Sequence, residues 1–213
     1  MLREMNLDTF VNELASESPA PGGGSAAGLA ASLGASLTSM VFNLTIDNKA
    51  SDHLSPEIID EMRKAREDML RIKTEFIDLM EKDTASFTRF MDALNMPKGT
   101  DEEKAVRKEK LDQAKIDITE TPERVAILCS QIWDAVELAN DYGNVNAVSD
   151  AGVAALMLDA AIKSSLLNVK INLPMIKDEA KKAAYVERMN GMLAESTERS
   201  NKIYSSVSNK LDA

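Results

Sequence analysis

Cysteine, histidine and aromatic side chains are scarce in this chain of 213 residues: there is one Cys, one His and one Trp, and aromatics make up 4%. A lone Cys excludes a disulfide framework. One Cys with one His leaves no His/Cys zinc cluster, although an oxygen-only Mg²⁺ or Ca²⁺ site stays open on composition. Positive charge is also short. The 25 Lys+Arg against 35 Asp+Glu leave a net charge of −10, which argues against nonspecific nucleic-acid binding, because that needs a basic surface to displace counterions. The opening residues MLREMNLDTF show no basic-then-apolar leader pattern, so a reduced cytoplasmic setting is expected. What is present, 44% hydrophobic and 28% charged residues, is the balance of a soluble globular protein long enough to bury a sizeable core.

No segment alternates with period two, and the prolines at 19, 21, 56, 97, 122 and 174 divide the chain into long helical stretches. Helices are expected over Leu7–Ser16, with Asp8 as a cap, and from the Pro-Gly run at 21–24 to about Ile46. Ser55-Pro56-Glu57, a cap followed by proline at the first helical position, opens the next, which runs to about Leu94. Another begins near Thr100-Asp101 and is expected to break or kink before Pro122, where Thr121-Pro122-Glu123 starts a helix ending at Gly143. The last two are expected from Ser149 to about Asn168 and from Pro174 to Leu211. The fold class is all-α: residues 1–213 form a single-domain bundle of long helices around a small-residue central helix.

That central helix lies in residues 18–46, which contain no charged side chain. The length would suit a membrane span, but the composition of Gly, Ala and Ser without basic or aromatic flanks favours a buried helix. Gly24, Gly28, Ser32 and Ser36 share one face, with Ala27, Ala31, Ala35 and Ser39 beside it, and such rows let neighbouring backbones approach closely. The preceding Pro21-Gly22-Gly23-Gly24-Ser25 is either a tight turn or a loop whose N–H groups, with the helix dipole behind them, receive an anion or a carbonyl.

Two further features stand out. The third helix carries an apolar stripe through Ile58, Met62, Ala65, Met69, Ile72, Phe76, Leu79, Phe87, Phe90 and Leu94, interrupted by a carboxylate at Asp83. A buried acid must be paired, protonated or facing a polar cavity, and burial raises its pKa toward the range useful for acid–base chemistry. The alternative is a helix edge where Asp83 pairs with a cation. The second feature is the segment Gly143–Asp150, with Asn144 and Asn146, leading into a helix uncharged from Ala151 to Leu158. Ser149 or Asp150 there either caps the helix or floors a polar pocket. Cys129 and Trp133 read as core residues, and His53 as a solvated linker residue.

Taken in order, Pro19–Ser25, Ser39–Thr45, Asp83-Thr84-Ala85-Ser86-Phe87, Leu94–Lys98, Gly143-Asn144 through Ser149-Asp150, and Asn168–Leu173 resemble the formimidoyltetrahydrofolate cyclodeaminase / methenyltetrahydrofolate cyclohydrolase family across nearly the whole chain. Asp47-Asn48-Lys49 departs from it, since the family often has a Gly-Lys-type turn there. The resemblance implies an all-α enzyme, a homodimer, with no metal or redox cofactor; charge and composition add the expectation of no membrane or nucleic-acid partner. Its small-molecule substrate is a tetrahydrofolate derivative. The activity expected first is hydrolysis of 5,10-methenyltetrahydrofolate to 10-formyltetrahydrofolate. Cyclodeamination of the 5-formimidoyl form with loss of ammonia is the alternative, and a noncatalytic helical scaffold a further one. On this reading Asp150 and Asp83 are the catalytic carboxylates. Asn144, Asn146, Ser149, Asn168 and Asn172 bind the pterin, Gly22, Gly23, Gly24 and Ser25 hold a substrate oxygen or the tail, and Lys49 and Lys98 oppose the tail's negative charge.

Overall fold

In the computed structural model, which describes residues 1–212, the uncharged segment forms helix α2 (Gly23–Asn43) and the other helices gather around it. They are α1 (Leu7–Leu14), α3 (Pro56–Asn95), α4 (Asp101–Ser130), α5 (Trp133–Tyr142), α6 (Val148–Asn172) and α7 (Glu179–Leu211), and no strand occurs among the described residues. Helices α2, α3, α4 and α6 close a four-membered ring, each packed on the next, while α7 lies against α6 and the short α5 touches α2, α6 and α7. Small residues make the ring tight. A methyl group placed on Gly28 would stand 3.2 Å from Met80 Cβ, and one on Gly34 would stand 3.1 Å from the Leu158 side chain. Ala27, Ala31 and Ala35 are buried between them. Contacts of Gly24 with Asp83 and Gly28 with Met80 show α3 running antiparallel to α2. Gly23 with Asn168 and Gly34 with Leu158 show the same for α6.

The large side chains fill the space that α2 leaves: Phe42, Phe76, Met62, Met69, Leu158, Ile162, Trp133 and Tyr185 are fully buried. Cys129 is likewise buried, and burial pushes its thiol well above the ordinary range, so it packs as a neutral core residue. The stretches Gly23–Asn43 and Val145–Met175 are long and apolar enough to cross a membrane, but 61% and 50% of their most apolar windows are buried inside the bundle. Much of that apolar surface therefore belongs to the protein core.

Helix ends follow local chemistry. Ser55 caps α3 ahead of Pro56, Thr100 and Glu103 form a reciprocal capping box on α4, and Asp178 caps α7. Several expected limits shift. Asn6, not Asp8, caps α1, which stops at Leu14. Helix α2 ends at Asn43, and the turn beyond it puts Asp47 at φ 59°, a left-handed conformation that favours glycine. Helix α6 continues to Asn172, and α7 starts at Glu179 because Pro174 lies in a separate short 3₁₀ turn. The buried stripe of α3 drifts after Asp83: Ser86 and Ala93 are buried while Leu94 is 39% exposed. A straight helix of 3.6 residues per turn rotates steadily away from a four-three repeat.

The largest correction concerns Pro122. Helix α4 runs straight through it, and the break falls later, at Gln131-Ile132. Proline has no N–H, so the carbonyl of Ile118, one turn back, loses its helical donor. The side-chain amide of Asn172 supplies the replacement, donating from Nδ2 to the Ile118 oxygen at 2.8 Å. The later break turns Ile132 and Trp133, neighbours in sequence, both into the core. Asn172→Ala leaves that carbonyl without a donor and is expected to cost about 1–2 kcal/mol of stability in urea denaturation. In a Pro122→Ala background, where a backbone N–H returns, the same change costs less.

Candidate active site

At the N-terminal end of α2 the chain arrives through Gly22, and no side chain of its own caps the helix. The first turn of a helix presents unpaired N–H groups and a partial positive charge. Asp83, from the middle of α3, fills that position. Its Oδ2 accepts the Ser25 hydroxyl at 3.1 Å, and the Ser25 backbone N–H also bonds the carboxylate. The Ser25 hydroxyl lies 3.0 Å from Thr84 Oγ1 as well. Gly24 makes the approach possible, because a Cβ there would stand 2.2 Å from Asp83 Oδ1.

Two influences oppose each other on this acid. Burial disfavours its charged form, and the Ser25 bonds favour it; burial is the larger, so the Asp83 pKa is raised above the usual aspartate value. No cation pairs with it within 4 Å among the described residues. The sequence left open a helix-edge ion pair, and the structure instead faces the acid into a cleft.

That cleft has a volume of about 360 Å³. Gly22, Gly23 and Gly24 form one side, Asp83 and Phe87 of α3 another, and Asn168, Ile171 and Asn172 of α6 a third. Pro19, Ala20, Ile118 and Met175 complete it. Asn168 lies against Gly23 and donates from Nδ2 to its own helix at the Ser164 carbonyl, 2.9 Å away. Asn172 spends its N–H₂ on Ile118. Each amide thus keeps a second N–H and a carbonyl oxygen with no bonding partner among the described residues. A half-buried acid among apolar walls, with amide oxygens opposite, suits a flat heteroaromatic that carries N–H donors and positive charge. The roles of Phe87, Ile118, Ile171 and Met175 went unread in the sequence, since apolar residues on amphipathic helices look the same whether they line a core or a cleft.

The remaining candidates lie elsewhere. Asn144 ties the α5–α6 turn to the C-terminal end of α2: its N–H reaches Thr45 Oγ1 at 2.8 Å, its Nδ2 the Leu44 carbonyl at 2.9 Å, and its Oδ1 accepts the Asn146 N–H. Lys49, Asn144 and Asn146 line a second cavity of about 650 Å³, together with Asn48 and His53. Asp150 sits in the first turn of α6, but neither it nor Ser149 provides a cap. Lys98 is exposed in the α3–α4 turn. The 21 residues of α2 separate the two ends by about 30 Å at 1.5 Å per residue. Within one chain Asp83 and Asp150 therefore cannot touch the same reacting atoms, because α2 and α6 run antiparallel along their length.

A helical bundle with an acid-bearing, small-molecule-sized cleft beside a glycine-rich helix start defines an enzyme-like class of all-α protein. The chain belongs to the formiminotransferase-cyclodeaminase family, whose model matches residues 6–191. It is 34% identical over 206 residues to a methenyltetrahydrofolate cyclohydrolase of Methylorubrum extorquens, covering 97% of both chains. It is 31% identical to the rat formimidoyltransferase-cyclodeaminase over 91% of this chain but 35% of that protein. The crystal structure of a formiminotetrahydrofolate cyclodeaminase from Thermotoga maritima superposes with a TM-score of 0.77 at 25% identity, covering 100% of this chain and 98% of that one.

Gly24→Ala is expected to drive the Asp83 carboxylate off the helix start, lowering the thermal midpoint and abolishing ligand binding in the cleft. Asp83 also sets a pH dependence. A folded-state pKa raised above the unfolded value means that the folded protein holds the proton more tightly. The group's contribution to stability is thus fully present below the unfolded pKa and is lost as pH rises through the folded one. Asp83→Asn should accordingly gain stability relative to the parent as pH rises from acid toward neutral. Chemical denaturation across that window reads the difference.

Proposed function

We propose that this protein is a soluble cytoplasmic enzyme of folate one-carbon metabolism that hydrolyses 5,10-methenyltetrahydrofolate to 10-formyltetrahydrofolate, without a metal or redox cofactor. The carrying observation is the Asp83 carboxylate, without a cation partner, in a cleft of mostly apolar walls, and the end-to-end likeness to a cyclohydrolase supports the choice of reaction.

The methenyl carbon bridges N5 and N10 as an amidinium-like cation. The Asp83 carboxylate stabilises that charge and accepts a proton as water adds to the carbon, giving a neutral hydroxyl adduct. The bond to N5 then breaks. Asp83 returns its proton to N5, the hydroxyl proton leaves to solvent, and the formyl group remains on N10. One water is consumed and one proton released, so cation plus water balances neutral product plus H⁺. An acid with a raised pKa can serve both steps. The carbonyl oxygens of Asn168 and Asn172 receive the pterin N–H groups. The cyclodeaminase relatives favour a second reading on the same site, in which N10 attacks the protonated formimidoyl carbon, Asp83 takes the N10 proton and returns it to the adduct's amino group, and ammonia leaves to give the methenyl cation.

The enzyme works as a homodimer on this reading. The outer faces of α2 and α6 expose Leu33, Met40, Leu156, Leu167 and Ile171 and carry little charge, so two copies of a chain with a net charge of −10 can meet there without repulsion. A twofold axis perpendicular to these helices sets the Asp150 end of one copy beside the Asp83 end of the other. That arrangement lets Asp150 and Asn144 complete the cleft from the partner.

Mixing protein with 5,10-methenyltetrahydrofolate and following its ultraviolet absorbance tests the reaction. Loss well above the spontaneous rate is expected, slowed by roughly 100-fold or more in Asp83→Asn, with the rate of the parent rising through the Asp83 pKa. A flat trace with ammonia release from 5-formimidoyltetrahydrofolate would select the second reading. Asp83→Asn and Asp150→Asn subunits, each inactive alone, should recover activity when mixed and reassembled, since one of the two mixed sites then holds both acids. Full activity of Asp150→Asn alone would remove that residue from the chemistry.

A further inference from the structure

Helix α3 holds three threonines. Thr74 and Thr88 donate their hydroxyls to the carbonyl four residues back, at 3.2 and 3.0 Å, a common arrangement within a helix. Thr84 does not. Its Oγ1 lies 3.0 Å from the Ser25 hydroxyl of α2, the one partner it has among the described residues. Ser25 is fully buried, and its hydroxyl donates to Asp83 Oδ2 at 3.1 Å. A hydroxyl has one proton to give and can accept in return. While that proton points to Asp83, the contact with Thr84 is a hydrogen bond only with Thr84 as the donor. We propose that Thr84 is a positioning residue that acts on Asp83 through the Ser25 hydroxyl, holding the carboxylate in the ionised form that takes a proton. The inference rests on the reading of Asp83 as the reacting acid.

The chain from Thr84 to Ser25 to Asp83 ends on a full charge only when Asp83 is ionised. Hydrogen bonds to an ionised acceptor are about twice as strong as neutral ones, and successive bonds polarise one another. The Thr84 hydroxyl therefore favours the charged form, against the burial that favours the neutral one. No cation stands close enough to Asp83 to supply the same effect. Asp83 is the one titratable residue lining the cleft: the start of α2 presents glycines there, α4 presents Ile118, and α6 presents Asn168, Ile171 and Asn172. Along α3, Lys82 is exposed and Glu81 pairs with Arg3 at 3.7 Å. On α4, Lys115 pairs with Asp112 at 3.3 Å, and Asp117 with Arg89 at 3.5 Å. The two hydroxyls are thus what the fold sets against desolvation of this acid.

Titration of the Asp83 carboxyl carbon by nuclear magnetic resonance, on the full chain without ligand, tests this, the signal being assigned by its loss in Asp83→Asn. Thr84→Val removes the hydroxyl and keeps the shape. Its Asp83 midpoint should rise by roughly half a pH unit, about a threefold gain in proton affinity. Thr84→Ser, which keeps the hydroxyl, should titrate with the parent. Ser25→Ala should raise the midpoint further, and adding Thr84→Val to it should change nothing more, because the route to Asp83 is already cut. With 5,10-methenyltetrahydrofolate, the acid limb of the pH–rate profile should move by the same interval in Thr84→Val. An unmoved or lowered midpoint in Thr84→Val would overturn the proposal. So would a Thr84→Ser midpoint that moves as far as the valine one, a Thr84→Val shift that persists on Ser25→Ala, or a rate profile that stays in place while the midpoint moves. Failure of the parent to act on the methenyl substrate would count against the proposed reaction alone, since the titration is read without turnover.

Discussion

Helix α2 has almost no side-chain bulk where it meets α3 and α6, and the site depends on that thinness. Glycine at 24, 28 and 34 and alanine at 27, 31 and 35 bring the flanking helices close enough for Leu158 and Met80 to rest against its backbone. Close approach also sets register. With α3 locked at Gly28, Asp83 arrives at the helix start and nowhere else, and with α6 locked at Gly34, Asn168 arrives beside Gly23. A larger residue on this face would separate the helices and move both polar groups away from the cleft.

Asp83 shows how one position can do two jobs. It substitutes for the side-chain cap that Gly22 cannot supply, so the helix start and the carboxylate stabilise each other. It also lies among apolar neighbours that push it toward the neutral form, and that push is the stronger. An acid held between these tendencies can take up and release a proton without a large change in its surroundings.

The polar residues singled out in the sequence do not all serve one purpose. Asn172 answers a deficit created by Pro122, fifty residues earlier in the chain, and Asn144 fastens the α5–α6 turn to the Leu44 carbonyl and Thr45 hydroxyl just beyond α2. Each holds a helix end in place at one rim of the bundle. Two groups of candidate residues therefore gather at opposite ends of α2.

Much of this was legible from residue order alone. Proline placement, capping residues and the apolar period gave the all-α class, the central position of the uncharged helix, the core thiol at Cys129 and the anomaly at Asp83, because these are consequences of local geometry and of the cost of burying charge. Other features were not local. Pro122 reads as a breaker until Asn172 is seen to replace its missing donor, and Phe87, Ile171 and Met175 read as core until the helices are seen to part around them. The distance between Asp83 and Asp150 follows from antiparallel packing across about 30 Å of helix. Composition and period report which residues prefer burial. Only the assembled bundle decides which of them meet, because that depends on how closely two backbones approach.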